Sequence, residues 1–503
     1  MPKTVMIFSD GTGQLGGLSP DQRLSNVYKM YRAMRPGPDS PIPPSRQVAF
    51  YDAGLGVGEV GGLTFRRIRN LLAAAVGTGI DVNVIDCYAA VIARHEPGDR
   101  VCLVGFSRGA YTVRALANVM NLCGVPTRSA DGGPVPRHGP PLRAIAREAV
   151  QRVYNHGAGA KRAAFETQRE GLAARFRAKY GSEGVGIEGD PQGNVQPHFV
   201  GVFDTVAALG NRSALILATI AMFALVAVTV ALWTSGLEVP ATALAVLPAT
   251  AAYWVARSVA SQVKTYLDDE HLAMSPWNPR RLLFAIRHSH VAWWSGSNYD
   301  RYADKEIPYL RHALSIDEDR ARFPRVAWGR PVDYAWHADR GRTDWMVQVW
   351  FAGNHSDIGG SYPEDESRLS DIALGWMVEQ LRGALGDHVV ILDDRLTTSP
   401  DALALQHSER IGTLYPQPAW LRRLTGDRLT WGKGVRDVDV KARLHPTVYD
   451  RLAAATVPQM DRVAPYRPEA LNDHAAARRV VTGVRAAGGI ADDRRSDGAS
   501  LDD

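Results

Sequence analysis

Gly105-Phe106-Ser107-Arg108-Gly109 is a G-x-S-x-G pentapeptide. A serine that attacks an acyl carbonyl sits on a tight, strained strand-to-helix turn, which demands small residues two before and two after it. The flanks agree: Val101-Cys102-Leu103-Val104 reads as a strand and Ala110-Tyr111-Thr112-Val113-Arg114-Ala115-Leu116 as a helix. Ser107 is therefore the expected nucleophile. Such a serine needs a base, and the base needs an acid that fixes its tautomer. Two acids follow strand-like runs: Asp204 after Phe199-Val200-Gly201-Val202-Phe203, and Asp357 in the turn after Met346–Phe351. His445 lies downstream of both, in Leu444-His445-Pro446, and is the expected base; His355 is its rival. The oxyanion is expected to be met by the Arg108 N–H and by one from Gly11 or Thr12, in the glycine-rich turn Asp10-Gly11-Thr12-Gly13. That turn lacks the Lys-Ser/Thr pair of a phosphate loop. Asp10 either serves the site or merely holds the turn.

The elements that must position these residues alternate. Val5–Phe8, Gln47–Tyr51, Arg100–Gly105, His198–Phe203 and Met346–Phe351 are short apolar strands, with Val389–Leu392 a further short one. Val82–His95, Tyr111–Leu122 and Ser370–Leu381 carry apolar residues at helical spacing. Strands alternating with helices predict an α/β fold, a mostly parallel sheet with helices on both faces. Val5–Phe8 meets Ser9-Asp10-Gly11 at once, so the first residues read as a buried strand and a turn rather than an export signal.

A long apolar stretch interrupts the alternation. Ala214–Trp233 contains no charged residue, Pro or Gly, about the length that crosses a bilayer. Val239–Ala256 follows after a short connector and carries Pro240 and Pro248. The pair predicts a transmembrane helical hairpin over 212–257; two buried core helices are the plainer alternative. Arg212 precedes it and Arg257 and Lys264 follow, while the connector holds only Glu238. The positive-inside rule then puts the catalytic bulk on the cytoplasmic side of an inner membrane.

The expected organisation is thus 1–211 as the first part of the catalytic domain, the hairpin, and 258–480 as its continuation. Arg137–Lys179 holds ten Lys/Arg against three Glu and forms a basic cap over about 137–180, suited to an anionic lipid surface. Residues 488–503 have little to bury and read as a disordered tail. Three cysteines without a C-x-x-C pair exclude a disulfide framework and give no zinc signature. A net charge of +5 over 503 residues, with mean hydropathy −0.18, is too mild for a nucleic-acid binder. No metal and no cofactor is called for.

Five blocks then carry a resemblance: Ile7-Phe8-Ser9-Asp10-Gly11-Thr12, Gly105–Tyr111, Gly201–Val206, Arg311–Glu318 and Trp350–Gly360. In this order they resemble the α/β-hydrolase family that includes type VI secretion phospholipase effectors. The resemblance implies an α/β-hydrolase fold and serine-esterase chemistry on lipid acyl esters, with Ser107 as nucleophile, Asp357 as acid and His445 as base. Membrane lipids are the expected partner and no protein partner is indicated. The reading from another class is a membrane-associated scaffold that keeps the fold without turnover. An intact serine elbow argues against it, because strain of that kind has little purpose without chemistry.

Overall fold

The computed structural model describes residues 2–11, 14, 16–17, 23–54, 79–206, 212–292, 301–321, 323–412 and 432–483. Within it six strands form one sheet: β1 (Thr4–Ser9), β2 (Gln47–Asp52), β3 (Arg100–Phe106), β4 (Phe199–Phe203), β5 (Tyr309–Ser315) and β6 (Met346–Phe351). Their spatial order is β6-β5-β4-β3-β1-β2, and every neighbouring pair is parallel.

Alternation along each strand explains the two layers. Val5 and Ile7 of β1, Val101 and Leu103 of β3, and Val200 and Val202 of β4 face one core. That core is closed by helices Gly79–Arg94 and Arg108–Cys123 and by the helical layer 139–180. Met6, Phe8, Cys102, Val104, Phe199 and Phe203 face the other, under helices Asn26–Met34 and Arg368–Leu385. Strands buried on both faces are what a doubly wound parallel sheet requires.

β5 is the strand that apolar pattern alone misses. Its sequence YLRHALS carries Arg311 and His312, both buried. The Arg311 guanidinium is satisfied by Gln380 Oε1 at 2.7 Å and by the carbonyls of Leu310 and Asp344, so a charged residue is accommodated mid-sheet. Conversely Val389–Leu392 is not a strand. The Gln47 side chain exchanges hydrogen bonds with both backbone groups of Val390, which satisfies the chain there without a ladder.

At the opposite edge the chain near residue 444 closes β6. Trp350 N–H donates to Arg443 O and His445 N–H to Trp350 O, each at 2.9 Å, and Leu444, Val448 and Leu452 build a third core against Leu314 and Trp350. An open sheet edge is thereby covered.

Helices Arg212–Thr234 and Glu238–Gln262 leave the C-terminal side of β4 and pack along each other. Ile220, Phe223, Val228, Val230, Val239 and Val246 on them are exposed. Among the residues whose side chains are described, no helix is long and apolar enough to cross a membrane. The side chains of 212–219, 221, 251, 254–255 and 258–259 lie outside that description. The apolar runs thus form two paired helices, and no bilayer crossing follows from the described side chains.

The basic stretch is mostly tied to the protein. Arg137 donates to the carbonyls of Ile92 and His95, Arg169 to His156 O and Arg177 to Leu122 O; Arg143 pairs with Asp86, Arg175 with Asp269 and Lys179 with Glu148. Arg147 and Arg152 are exposed. The expected tail 488–503 lies outside the described residues.

Candidate active site

Ser107 follows β3 directly and precedes helix Arg108–Cys123 with φ 58° and ψ −119°, a left-handed conformation that costs a non-glycine residue about 1–3 kcal/mol. Gly109 is what makes the turn possible. A Cβ there would stand 2.0 Å from the Ser9 carbonyl oxygen, so helix and β1 touch backbone to backbone. The first N–H groups of a helix lack intrahelical acceptors, and that of Arg108 is the one next to the serine.

Register brings the acid alongside. Phe106 pairs with Phe203, and Ser107 N–H donates to Phe203 O at 3.1 Å, so Asp204 emerges beside the serine turn. Asp204 is fully buried with φ 32°. Its Oδ1 accepts from Ser315 N–H at 3.2 Å, and its Oδ2 binds His355 Nδ1 at 2.6 Å and accepts from Arg436 Nη2 at 2.8 Å. Burial alone would raise its carboxyl. The Arg436 guanidinium and the His355 hydrogen bond outweigh that and hold it well below the ordinary carboxylate range.

His355 opens a short helix, His355–Gly359, beyond the end of β6. Its ring packs 4.7 Å from the ring of Phe106, the residue before the nucleophile, and Phe323 meets it edge-on. With Nδ1 committed to Asp204, Nε2 is buried and bonds no described group. An imidazole oriented by a buried carboxylate, with its second nitrogen bare and its ring against the residue before a strained serine, has what a general base needs.

Asp357 lies two residues on and faces elsewhere. Its Oδ1 binds His407 Nδ1 at 2.7 Å, and its Oδ2 accepts from the N–H groups of His407 and Asn354, each at 3.0 Å. His407 Nε2 also lies 3.3 Å from Glu366, and Tyr362 stacks on its ring at 3.7 Å. Burial disfavours the His407 cation, but the two carboxylates win and raise its pKa. Burial likewise raises Asp357 against the opposing pull of His407. Asp357 and His445 are not brought together. His445 caps helix Pro446–Ala453 through Thr447, with Nδ1 2.8 Å from its hydroxyl, and stacks on Phe351 at 4.7 Å. His407 carried no motif in the sequence; a lone histidine in a loop gives no signal of its partner.

On the oxyanion side, Gly11 lies against the serine, since a Cβ there would stand 3.3 Å from Ser107 Cβ. Its N–H donates to Asp10 Oδ1 at 2.7 Å. Asp10 Oδ2 also accepts from Ser25 at 2.5 Å and Tyr51 at 2.7 Å, and burial pushes its carboxyl up to about 6. Thr12 lies outside the described residues.

A doubly wound parallel sheet with a strained serine between strand and helix, at the carboxyl ends of the strands, defines an α/β domain of lipase-like hydrolase type. The profile described as "T6SS, Phospholipase effector Tle1-like, catalytic domain" matches residues 3–246 and 282–380, and the chain belongs to that family. An uncharacterized protein of Saccharomyces cerevisiae is 31% identical over 132 residues, 24% of this chain and 18% of its own length. The crystal structure of an uncharacterized protein from Pseudomonas aeruginosa aligns at TM-score 0.33 and 15% identity, covering 79% of this chain and 47% of that one. A Tle1 effector solved bound to the VgrG spike of the type 6 secretion system aligns at TM-score 0.30 and 13% identity, covering 72% and 52%. The chain thus spans about half of each solved structure and under a fifth of the yeast protein.

Proposed function

We propose that this protein is a serine hydrolase of lipid acyl esters in which Ser107 is the nucleophile, His355 the base and Asp204 the acid. The observation that carries the reading is the buried His355–Asp204 pair at 2.6 Å, with Nε2 bare and the ring packed 4.7 Å from that of Phe106, the residue before Ser107. His355 Nε2 takes the Ser107 proton as Oγ attacks the acyl carbonyl. The Arg108 N–H meets the oxyanion. The imidazolium then protonates the departing alkoxide, leaving an acyl-serine that water, deprotonated by the same nitrogen, hydrolyses to the fatty acid. Asp204, kept ionised by Arg436, stabilises the imidazolium without taking its proton. Asp357 acts one step back, by holding the loop that carries His355.

The paired helices 212–262 are proposed as the membrane anchor, with the catalytic bulk on the cytoplasmic side. Their length, the charge-free run Ala214–Trp233 and the outward Ile220, Phe223, Val228 and Val230 support this.

A fluorophosphonate probe tests the chemistry. Labelling is expected on the wild type, absent in Ser107→Ala, and slowed by orders of magnitude in His355→Ala and Asp204→Asn. Full labelling of His355→Ala with loss in His445→Ala would return the base role to His445.

A further inference from the structure

Resting on the reading that the substrate is membrane lipid, we infer that residues 263–291 form a lipid-surface platform, which lays one face of helix Pro279–Arg287 and Trp277 into the headgroup layer of an anionic bilayer.

The unit is closed on itself by the antiparallel strands Val263–Thr265 and Ser289–Val291. One side is docked firmly on the helical layer of the catalytic domain. Arg175 donates to Asp269 Oδ1 at 2.9 Å and to Leu267 O at 2.6 Å, the His290 ring stacks on Phe165 at 4.0 Å, and Gly157 N–H donates to His290 Nε2 at 3.1 Å. The other side has no partner among the described residues. Neither Asp269–Ala273 nor Pro279–Arg287 buries a single residue. At 100° per residue Leu282, Ile286 and Leu283 fall within an arc of about 100°. They are 46%, 73% and 50% exposed, and Trp277, just before the helix begins, is 85% exposed. Phe284, on the opposite arc, is instead stacked between His271 and His288 at 3.9 and 3.8 Å. The helix therefore has a satisfied inner face and an unsatisfied outer one.

Three features choose the occupant. Arg280 and Arg287 are exposed along one border of the apolar stripe, which complements anionic headgroups. Trp277 is of the residue type that settles at the headgroup level. The chain enters the unit from Gln262, the last residue of the apolar hairpin, so the platform sits where that hairpin meets the catalytic domain. A second copy of the chain fits less well, because a nine-residue helix about 13 Å long offers far less than the roughly 800 Å² per partner of a stable dimer.

The test uses the full-length chain and the fact that Cys87, Cys102 and Cys123 are all buried. Trp277→Cys, Ile286→Cys and, as a remote exposed control, Asp461→Cys are labelled with an environment-sensitive fluorophore. They are then mixed with vesicles of phosphatidylcholine alone or with phosphatidylglycerol. Positions 277 and 286 are expected to shift to the blue and to lose about fivefold in acrylamide quenching on the anionic vesicles, with 461 unmoved. Leu283→Glu with Ile286→Glu should then lower hydrolysis of long-chain phospholipid in those vesicles about tenfold and leave a short soluble ester unchanged. Probes at 277 and 286 that respond no more than 461 overturn the inference. So does light scattering that finds a dimer which the Glu variants dissolve. Burial of both probes without hydrolysis of either substrate upholds the platform and removes the hydrolase reading instead.

Discussion

Asp204 gathers a backbone N–H, an imidazole and a guanidinium on one buried carboxylate. Removing its charge strands Arg436 in the interior, so Asp204→Asn should cost about 3–5 kcal/mol in stability as well as about 10⁴ in kcat. Chemical denaturation and steady-state kinetics read the two losses separately. Because its folded pKa is depressed, the stability it supplies is complete above the ordinary aspartate value and is lost as pH falls below about 4. Asp10 has the opposite sign. Raised from 3.8 to about 6 by burial, it binds a proton more tightly in the folded state, so stability declines as pH rises from about 4 to 6. Asp10→Asn should flatten that decline in a pH series of denaturation midpoints. At this scale the strained serine turn was legible, since the elbow imposes its glycines on neighbouring positions. Asp204 and His355 stood among the candidates, but which acid meets which histidine was not legible, for a geometric reason. His355 and Asp357 stand two apart on one helical turn, roughly 200° around it, so they face opposite ways and each meets a group distant in sequence.

The loop between β6 and helix Arg368–Leu385 is held from both ends. Gly353, with φ 115°, turns the chain, and a Cβ there would stand 2.4 Å from Asp357 Cβ. Asp357 caps its own helix through Asn354 and is clamped by His407 from outside. His407→Gln should therefore lower kcat by about an order of magnitude with little change in KM, since the base is misplaced rather than removed. The clamp also titrates. His407 gains its proton in the folded state, so its contribution is full below 6.5 and fades as pH rises through the raised folded value. Amide exchange across 353–360, corrected for intrinsic rate, should then quicken on the alkaline side in the wild type and be flat in His407→Gln. Gly109→Ala should yield little folded protein, because the clash is with β1 backbone that cannot swing aside. Apolar strands at this level were readable wherever both faces are plain hydrocarbon, as in β1, β3 and β4. β5 was hidden because Arg311 and His312 are hydrogen-bonded by groups far away in the chain, Gln380 and Asp344 for the one and Thr205 and Gln348 for the other.

For the molecule as a whole, none of the described residues of the paired helices 212–262 belongs to the three cores of the catalytic domain. Replacing Arg212–Gln262 by a short Gly/Ser linker should preserve the circular dichroism of the sheet and the turnover of a short soluble ester, while most vesicle activity goes. An aggregated variant would show instead that the hairpin supports the sheet. The interruption of the α/β alternation was plain in the sequence because charge-free runs of that length are conspicuous. The way the basic stretch is spent was not, since only packing reveals that Arg169 and Arg177 reach inward to carbonyls.

β4 and β5 lie side by side, yet everything from Asp204 to Pro308 is threaded between them. Closing a connection of that length costs about 4 kcal/mol of chain entropy, so this pairing forms late relative to β5 with β6, which a far shorter connection joins. Order of synthesis sharpens the point. At roughly 5–20 residues per second, Ser107 and Asp204 leave the ribosome several seconds before His355, and Arg436 follows later still. A growing chain that has already committed its apolar helices thus holds a nucleophile and an acid but no base. On the proposed chemistry, the cell making this protein is spared its action until His355 and then Arg436 have been translated.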